Sequence, residues 1–119
     1  MLTASCHCGA VTITLPSAPE RITDCNCSLC RRVGALWAYY EFGTVKFTGH
    51  PEHTAEYIQG DRTLRTLHCT ICGCTTHWEP LDTEAGGNHG VNMRNFDPAI
   101  LASVPIRRLD GADTWRFLD

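Results

Sequence analysis

The chain has 119 residues, 43% of them hydrophobic and 19% charged, so it can bury a core and is too apolar to be disordered. Its formal charge of −3 argues against a general nucleic-acid binder, and no apolar run approaches the roughly 20 residues that cross a membrane. Met1 to Ser5 carry no basic side chain and no long apolar stretch, so no signal peptide is read and a cytoplasmic location is expected.

The first element is a tight turn at Cys6-His7-Cys8-Gly9 followed by a strand, in which Val11, Ile13 and Leu15 alternate with Thr12 and Thr14. Pro16-Ser17-Ala18-Pro19 breaks it. Arg21 to Asp24 lead, extended, into a loop with three thiols, and Cys30 to Gly34 can form one helical turn. Leu36 to Phe42 is an aromatic strand, Val45 to Phe47 another, and Gly49-His50-Pro51 ends it. His53 to Ile58 and Thr63 to Cys69 read as strands around a turn at Gln59-Gly60-Asp61-Arg62. Gly73 to Trp78 continues as a strand stopped by Glu79-Pro80, Glu84-Ala85-Gly86-Gly87 is a loop, and His89 to Phe96 is extended. Asp97 caps a short helix with Pro98 at its first position, and Pro105 to Arg108 is a last strand. Many short strands, with turns at spacings of roughly eight to twelve residues, predict one small all-β domain.

Eight cysteines organise this chain. Without a secretory signal, clustered thiols are metal ligands before they are disulfides. Cys69-Thr70-Ile71-Cys72-Gly73 is a C-x-x-C-G turn, and Cys6-His7-Cys8-Gly9 is a shorter variant whose two thiols share one strand face. Each pair is half of a tetrahedral site. Together they make a closed four-thiolate zinc site, set against the plainer reading of buried free thiols. Cys25, Cys27 and Cys30 offer three thiolates and no local fourth. Water, a substrate thiol, Cys74, His68, His77 or His89 would complete that set, or the loop would share the first metal. An open position permits chemistry, because zinc lowers the pKa of a bound thiol and the thiolate attacks an electrophile such as an aldehyde carbon. Arg31 and Arg32 adjoin the loop and suit a carboxylate, or else surface ion pairs. Trp37, Tyr39, Tyr40, Phe42 and Phe47 are core and edge aromatics, or the wall of a pocket beside the second zinc. Asn92 and Arg94 would share one side of a strand.

In this order, Cys6-x-Cys8-Gly9-Ala10-Val11, Cys25-x-Cys27-Ser28-x-Cys30-Arg31-Arg32, Cys69-x-x-Cys72-Gly73 and Val91-Asn92-x-Arg94 resemble the glutathione-dependent formaldehyde-activating enzyme family, which includes the centromere protein V domain. The resemblance spans nearly the whole chain. It implies a single domain over 1–119 with a β-tent fold: mainly β, small antiparallel sheets pinned by zinc, and one or two short helical turns. It also implies two zinc ions, a structural one on Cys6, Cys8, Cys69 and Cys72 and a catalytic one on Cys25, Cys27 and Cys30. The family's namesake reaction, of the carbon–sulfur lyase type, joins glutathione to formaldehyde as S-hydroxymethylglutathione. Arg31, Arg32 and Arg94 are the candidate contacts to such a thiol. The alternative is a non-catalytic binding or scaffold module with two structural zincs. Neither a nucleic-acid nor a membrane partner is expected, and a homodimer is left open.

Overall fold

The computed structural model describes residues 2–60, 62–84 and 86–119. Met1, Asp61 in the expected turn and Ala85 in the expected loop lie outside the described residues. The alternation of Ile13 and Leu15 with Thr12 and Thr14 becomes a strand with both aliphatic side chains fully buried.

The described chain runs β1 (Leu2–Ser5), β2 (Thr12–Leu15), β3 (Ile22–Cys25), α1 (Cys30–Val33), β4 (Trp37–Glu41), β5 (Lys46–Thr48), β6 (Thr54–Ile58), β7 (Leu64–Cys69), β8 (Thr75–Pro80), β9 (Asn88–Asn92), α2 (Pro98–Ser103) and β10 (Ile106–Leu109). A three-stranded sheet has the order β1-β2-β5, and a seven-stranded sheet the order β10-β3-β4-β9-β8-β7-β6. All neighbours are antiparallel except β10 and β3, which pair in parallel from Ile106↔Ile22 to Leu109↔Cys25. The fold is therefore mainly β with two short helices.

Ile13, Leu15, Ile22, Leu36, Ala38, Val45, Val91, Met93 and Phe96 form the main core. Each fully buried aliphatic contributes about 1.5–3 kcal/mol of transfer free energy. A smaller cluster of Cys6, Val11 and Cys69 joins the first turn to the end of β7.

Two stretches differ from the extended backbone expected of them. The segment from His89 leaves strand geometry after Asn92 and makes a 3₁₀ turn at Met93–Asn95, because the Asn92 side chain accepts from the Arg94 amide at 3.2 Å. The strand after Cys72 starts at Thr75, since Gly73 turns the chain at φ +80° and the Cys69 amide donates to the Cys74 carbonyl. It then runs through Pro80, which has no N–H with which to carry the ladder further. As expected, Asp97 caps α2 by accepting from the Ala99 amide at 2.9 Å.

β8 carries a bulge. Leu67 faces His77 and His68 faces Thr75, so Thr76 is the extra residue. Beyond it, the two faces of β7 and β8 separate two sets of side chains. Thr66 and Trp78 look one way, and Arg65, Leu67, His77 and Glu79 look the other.

Candidate metal centre and its cavity

The two halves of the chain's cysteine framework meet between the first turn and the β7–β8 turn. The sulfurs of Cys6, Cys8, Cys69 and Cys72 all lie within 4.8 Å of one another. Cys6 to Cys8 is 3.7 Å and Cys8 to Cys69 is 3.6 Å. Four thiolates at a Zn–S distance of about 2.3 Å in a tetrahedron stand about 3.8 Å apart, so the spacing fits such an ion. Gly9 at φ +84° and Gly73 at φ +80° close the two turns. Backbone amides point at the sulfurs: Val11 to Cys6 and Ile71 to Cys69, each at 3.4 Å. Amides also set the thiols' acidity. Those of Cys74 and then Cys8 bring Cys72 down to about 5, and those of Cys72 and Ile71 lower Cys69.

The triple-cysteine loop likewise gathers its sulfurs within 4.8 Å. Cys25 ends β3 and Cys30 begins α1, whose last carbonyl turn closes on the left-handed Gly34. The Cys30 amide donates to Cys27 Sγ, and the Trp37 indole N–H donates to Cys30 Sγ, both at 3.3 Å. Burial pushes the Cys25 and Cys30 thiols up. It also opposes ionisation of Cys27, but the Cys30 amide, the neighbouring Cys30 and Cys25 thiols and the Leu29 amide together outweigh it and that thiol is lowered. One acidic thiol beside two reluctant ones suits a group that is charged when a cation neutralises it.

Among the described residues, no fourth Cys, His, Asp or Glu joins this group. Each proposed completing side chain stands elsewhere. Cys74 packs against the first cluster. His68 shares a strand face with Thr66 but is not a member of the group. His77 groups with His50 and Glu79. His89 stacks on Phe42 at 4.7 Å and accepts from the Gly43 amide. The loop therefore keeps three thiols and opens on a cavity of about 150 Å³ walled by Trp37, Tyr39, Trp78 and Trp115. A larger hollow of about 440 Å³ adjoins it across Cys27, Gln59, Leu64 and Trp115.

Three of these walls were not read from the sequence. Trp78 comes from β8. Gly111 and Trp115 come from the C-terminal loop, which β10 delivers beside Cys25 by parallel pairing. Asn26 ties that loop down, donating to Asp110 and accepting from the Ala112 amide. Gly111 is buried against the thiols, where a Cβ would lie 2.5 Å from Cys25 Sγ. Trp115 sits at φ +58° and is 67% exposed, a strained backbone for an aromatic residue, held by its amide on the Asp110 carbonyl at 2.7 Å. The only sequence signal was an aromatic residue after a Gly and two Asp.

The other aromatics divide. Trp37 and Tyr39 wall the cavity, Tyr40 donates to the Ser17 carbonyl, and Phe47 stacks on His77. The residues that line the two hollows do not include Arg31, Arg32 or Arg94. Arg32 donates to the Ser28 carbonyl and Arg94 to the Gly34 carbonyl, so these two brace α1, while Arg31 is exposed. Asn92 likewise holds the backbone, accepting from the Leu36 amide and donating to the Thr75 carbonyl.

A sequence profile of the family described as glutathione-dependent formaldehyde-activating enzyme matches residues 1–105. The fold is similar to a crystal structure of a Rhodobacter sphaeroides protein, with a TM-score of 0.71 and 31% identity, covering 88% of this chain and 99% of that one. No helix among the described residues is long and apolar enough to cross a membrane.

Proposed function

The chain belongs to the glutathione-dependent formaldehyde-activating enzyme family, and from that premise we propose that it is a two-zinc enzyme joining a small thiol such as glutathione to formaldehyde. Cys6, Cys8, Cys69 and Cys72 would hold a closed structural ion, and Cys25, Cys27 and Cys30 a second ion with one position for the substrate sulfur. Zinc at the second group supplies the Lewis acidity that makes a thiol ionise near neutral pH.

The reaction forms one carbon–sulfur bond, opens the carbonyl π bond, and moves the thiol proton to the former carbonyl oxygen. The chain's own residues have three tasks in it. Trp37, Trp78 and Trp115 wall a cavity of about 150 Å³, enough for the aldehyde, while the adjoining hollow of about 440 Å³ takes the body of the thiol. The Trp37 N–H holds Cys30 Sγ in place. Tyr39 lines the same cavity, and burial pushes its phenol up so that it stays protonated, which makes its hydroxyl our choice of proton donor to the new hydroxymethyl oxygen. Arg31, exposed directly after Cys30, is the arginine of the three left for a substrate carboxylate.

One observation carries this reading: three sulfurs converge beside a cavity without a fourth protein ligand among the described residues. A scaffold module with two closed zinc sites would want Cys74 or a histidine there. The test is exchange NMR of glutathione with ¹³C-formaldehyde. Zinc-loaded protein should speed formation of the hydroxymethyl thioether, and Tyr39→Phe should slow it about a hundredfold, within the usual range for a lost general acid. An exchange rate equal to that of buffer, with glutathione leaving the spectrum of cobalt-substituted protein unchanged, sinks the proposal.

A further inference from the structure

On the face of the β7–β8 pair opposite the triple-cysteine cavity, three electron-rich atoms converge. His50 Nε2 and His77 Nε2 each lie 3.3 Å from Glu79 Oε2, and the three atoms all fall within 4.8 Å of one another. His77 is fully buried and Glu79 nearly so. Arg65 occupies the other carboxylate oxygen, with Nε at 2.8 Å and Nη2 at 2.6 Å from Oε1, so Oε2 is left to the two imidazoles.

Thr54 Oγ1 is 2.7 Å from His50 Nδ1 and 3.5 Å from the Pro51 carbonyl. Thr76 Oγ1, on the bulge, is 2.9 Å from His77 Nδ1 and 3.3 Å from the Leu67 carbonyl. Each hydroxyl can accept from its ring while its own proton turns toward the carbonyl. In that tautomer both Nδ1 atoms donate, and each Nε2 presents a lone pair toward the Glu79 carboxylate. A charge-assisted hydrogen bond would be about 2.7–2.9 Å, shorter than the 3.3 Å found here. Ligands on a tetrahedral ion at bond lengths of about 2.0–2.1 Å stand about 3.3–3.4 Å apart.

We propose that His50, His77 and Glu79 form a third metal centre that takes a divalent transition metal of the zinc class through two imidazoles and one carboxylate. The hydroxyls of Thr54 and Thr76 orient the ligating rings, as outer partners of metal-bound histidines do. Gly49 brings His50 there. Its backbone passes against the Ala10 carbonyl, where any Cβ would collide, so no larger residue fits beneath the ligand. Phe47 stacks on His77 at 4.0 Å and walls the inner side. On the outer side lies a hollow of about 360 Å³ lined by His50, Thr54, Arg65 and Leu67, and His50 is the one of the three ligands that borders it. Imidazole and carboxylate donors select zinc, cobalt or nickel and not calcium. The centre is separate from Cys25, Cys27 and Cys30, to which β7 and β8 turn the opposite face, and it shares no residue with the four-thiol group.

The test starts from full-length protein whose cysteines are already loaded with zinc and no longer react with a chromogenic thiol reagent. A further equivalent of zinc should bind, and in long-range ¹H–¹⁵N spectra the Nε2 signals of two histidines should move together while the thiols stay unreactive. His50→Ala should keep the thiol-bound zinc and weaken the added equivalent by about tenfold or more, since even loss of an outer-shell partner weakens metal sites that much. The proposal is overturned if no further equivalent binds, if His50→Ala binds it as tightly, or if an Nε2 proton persists on His50 or His77 in saturating zinc. The spectra of the unsubstituted protein answer the question even if His50→Ala does not fold. Formaldehyde turnover enters none of these readouts, so the centre and the thiol chemistry stand or fall separately.

Discussion

Replacing Gly111 with alanine isolates the second thiol group. The new Cβ would lie 2.5 Å from Cys25 Sγ and 3.3 Å from Cys27 Cβ, inside the roughly 3.5–4.0 Å of ordinary contact. Relief requires the sulfur to retreat by about 1 Å, several times the roughly 0.2 Å tolerance of a metal–ligand distance. Overpacking of this kind is worth about 1–3 kcal/mol. At about 1.4 kcal/mol per tenfold, zinc affinity at Cys25, Cys27 and Cys30 should fall about 5- to 150-fold. The four-thiol group shares no residue with this contact and should be untouched. Competition against a chromophoric zinc chelator resolves the two equivalents. One should bind as in the parent protein and the other should weaken within that range. Two unaltered equivalents, or two weakened together, would refute the assignment of Gly111 to the second group alone.

Trp37→Phe keeps an aromatic ring, though a smaller one, and removes the indole N–H on Cys30 Sγ. A hydrogen bond to a charged acceptor is worth about 1.5–3 kcal/mol, so zinc at the second group should weaken about tenfold or more in the same titration, with the first group as internal control. Gly90→Ala places a Cβ onto the Trp78 indole, which must swing into the cavity. The free energy of unfolding should drop by about 1–3 kcal/mol, and glutathione binding should be lost by calorimetry, whereas unchanged affinity would show that Trp78 does not wall the substrate cavity. The Tyr40 phenol donates to Ser17, and burial pushes it up to about 12. Since its folded value is raised, its share of stability is intact below the ordinary value of about 10 and disappears as pH rises through 12. A tyrosinate absorbance step near pH 12 should vanish in Tyr40→Phe, and a parent protein that completes its titration near the ordinary value would contradict the burial.

The cysteine framework was legible because its spacing is local. C-x-C-G and C-x-x-C-G each fold on themselves, so pairing Cys6 and Cys8 with Cys69 and Cys72 required only that two half-sites meet. The strands of alternating aliphatics were legible for the same reason, as was the Asp97–Pro98 helix start. What escaped was set by distant register. Nothing near Gly111 or Trp115 signals a thiol site, and only the parallel pairing of β10 with β3 brings them to Cys25. His77 was weighed as a completing ligand for the triple-cysteine loop. The bulge at Thr76 and the alternation of β8 turn it to the opposite face, toward His50 from a loop no spacing connects to it. On a continuous strand, Asn92 and Arg94 would share one side, exposed or aimed at a ligand. The 3₁₀ turn that Asn92 itself caps spends both on the backbone.

The contact between the Asn26 side chain and the Ala112 amide spans 86 residues. At a ribosomal pace of about 5–20 residues per second, roughly 4–17 s separate synthesis of the thiol loop from synthesis of the segment that covers it. For that interval the nascent chain presents Cys25, Cys27 and Cys30 bare, when ion capture and oxidation compete for the same sulfurs. If the second thiol group takes an ion as proposed, the order in which the chain emerges makes metal supply during translation, and not only afterwards, bear on whether that group is delivered intact.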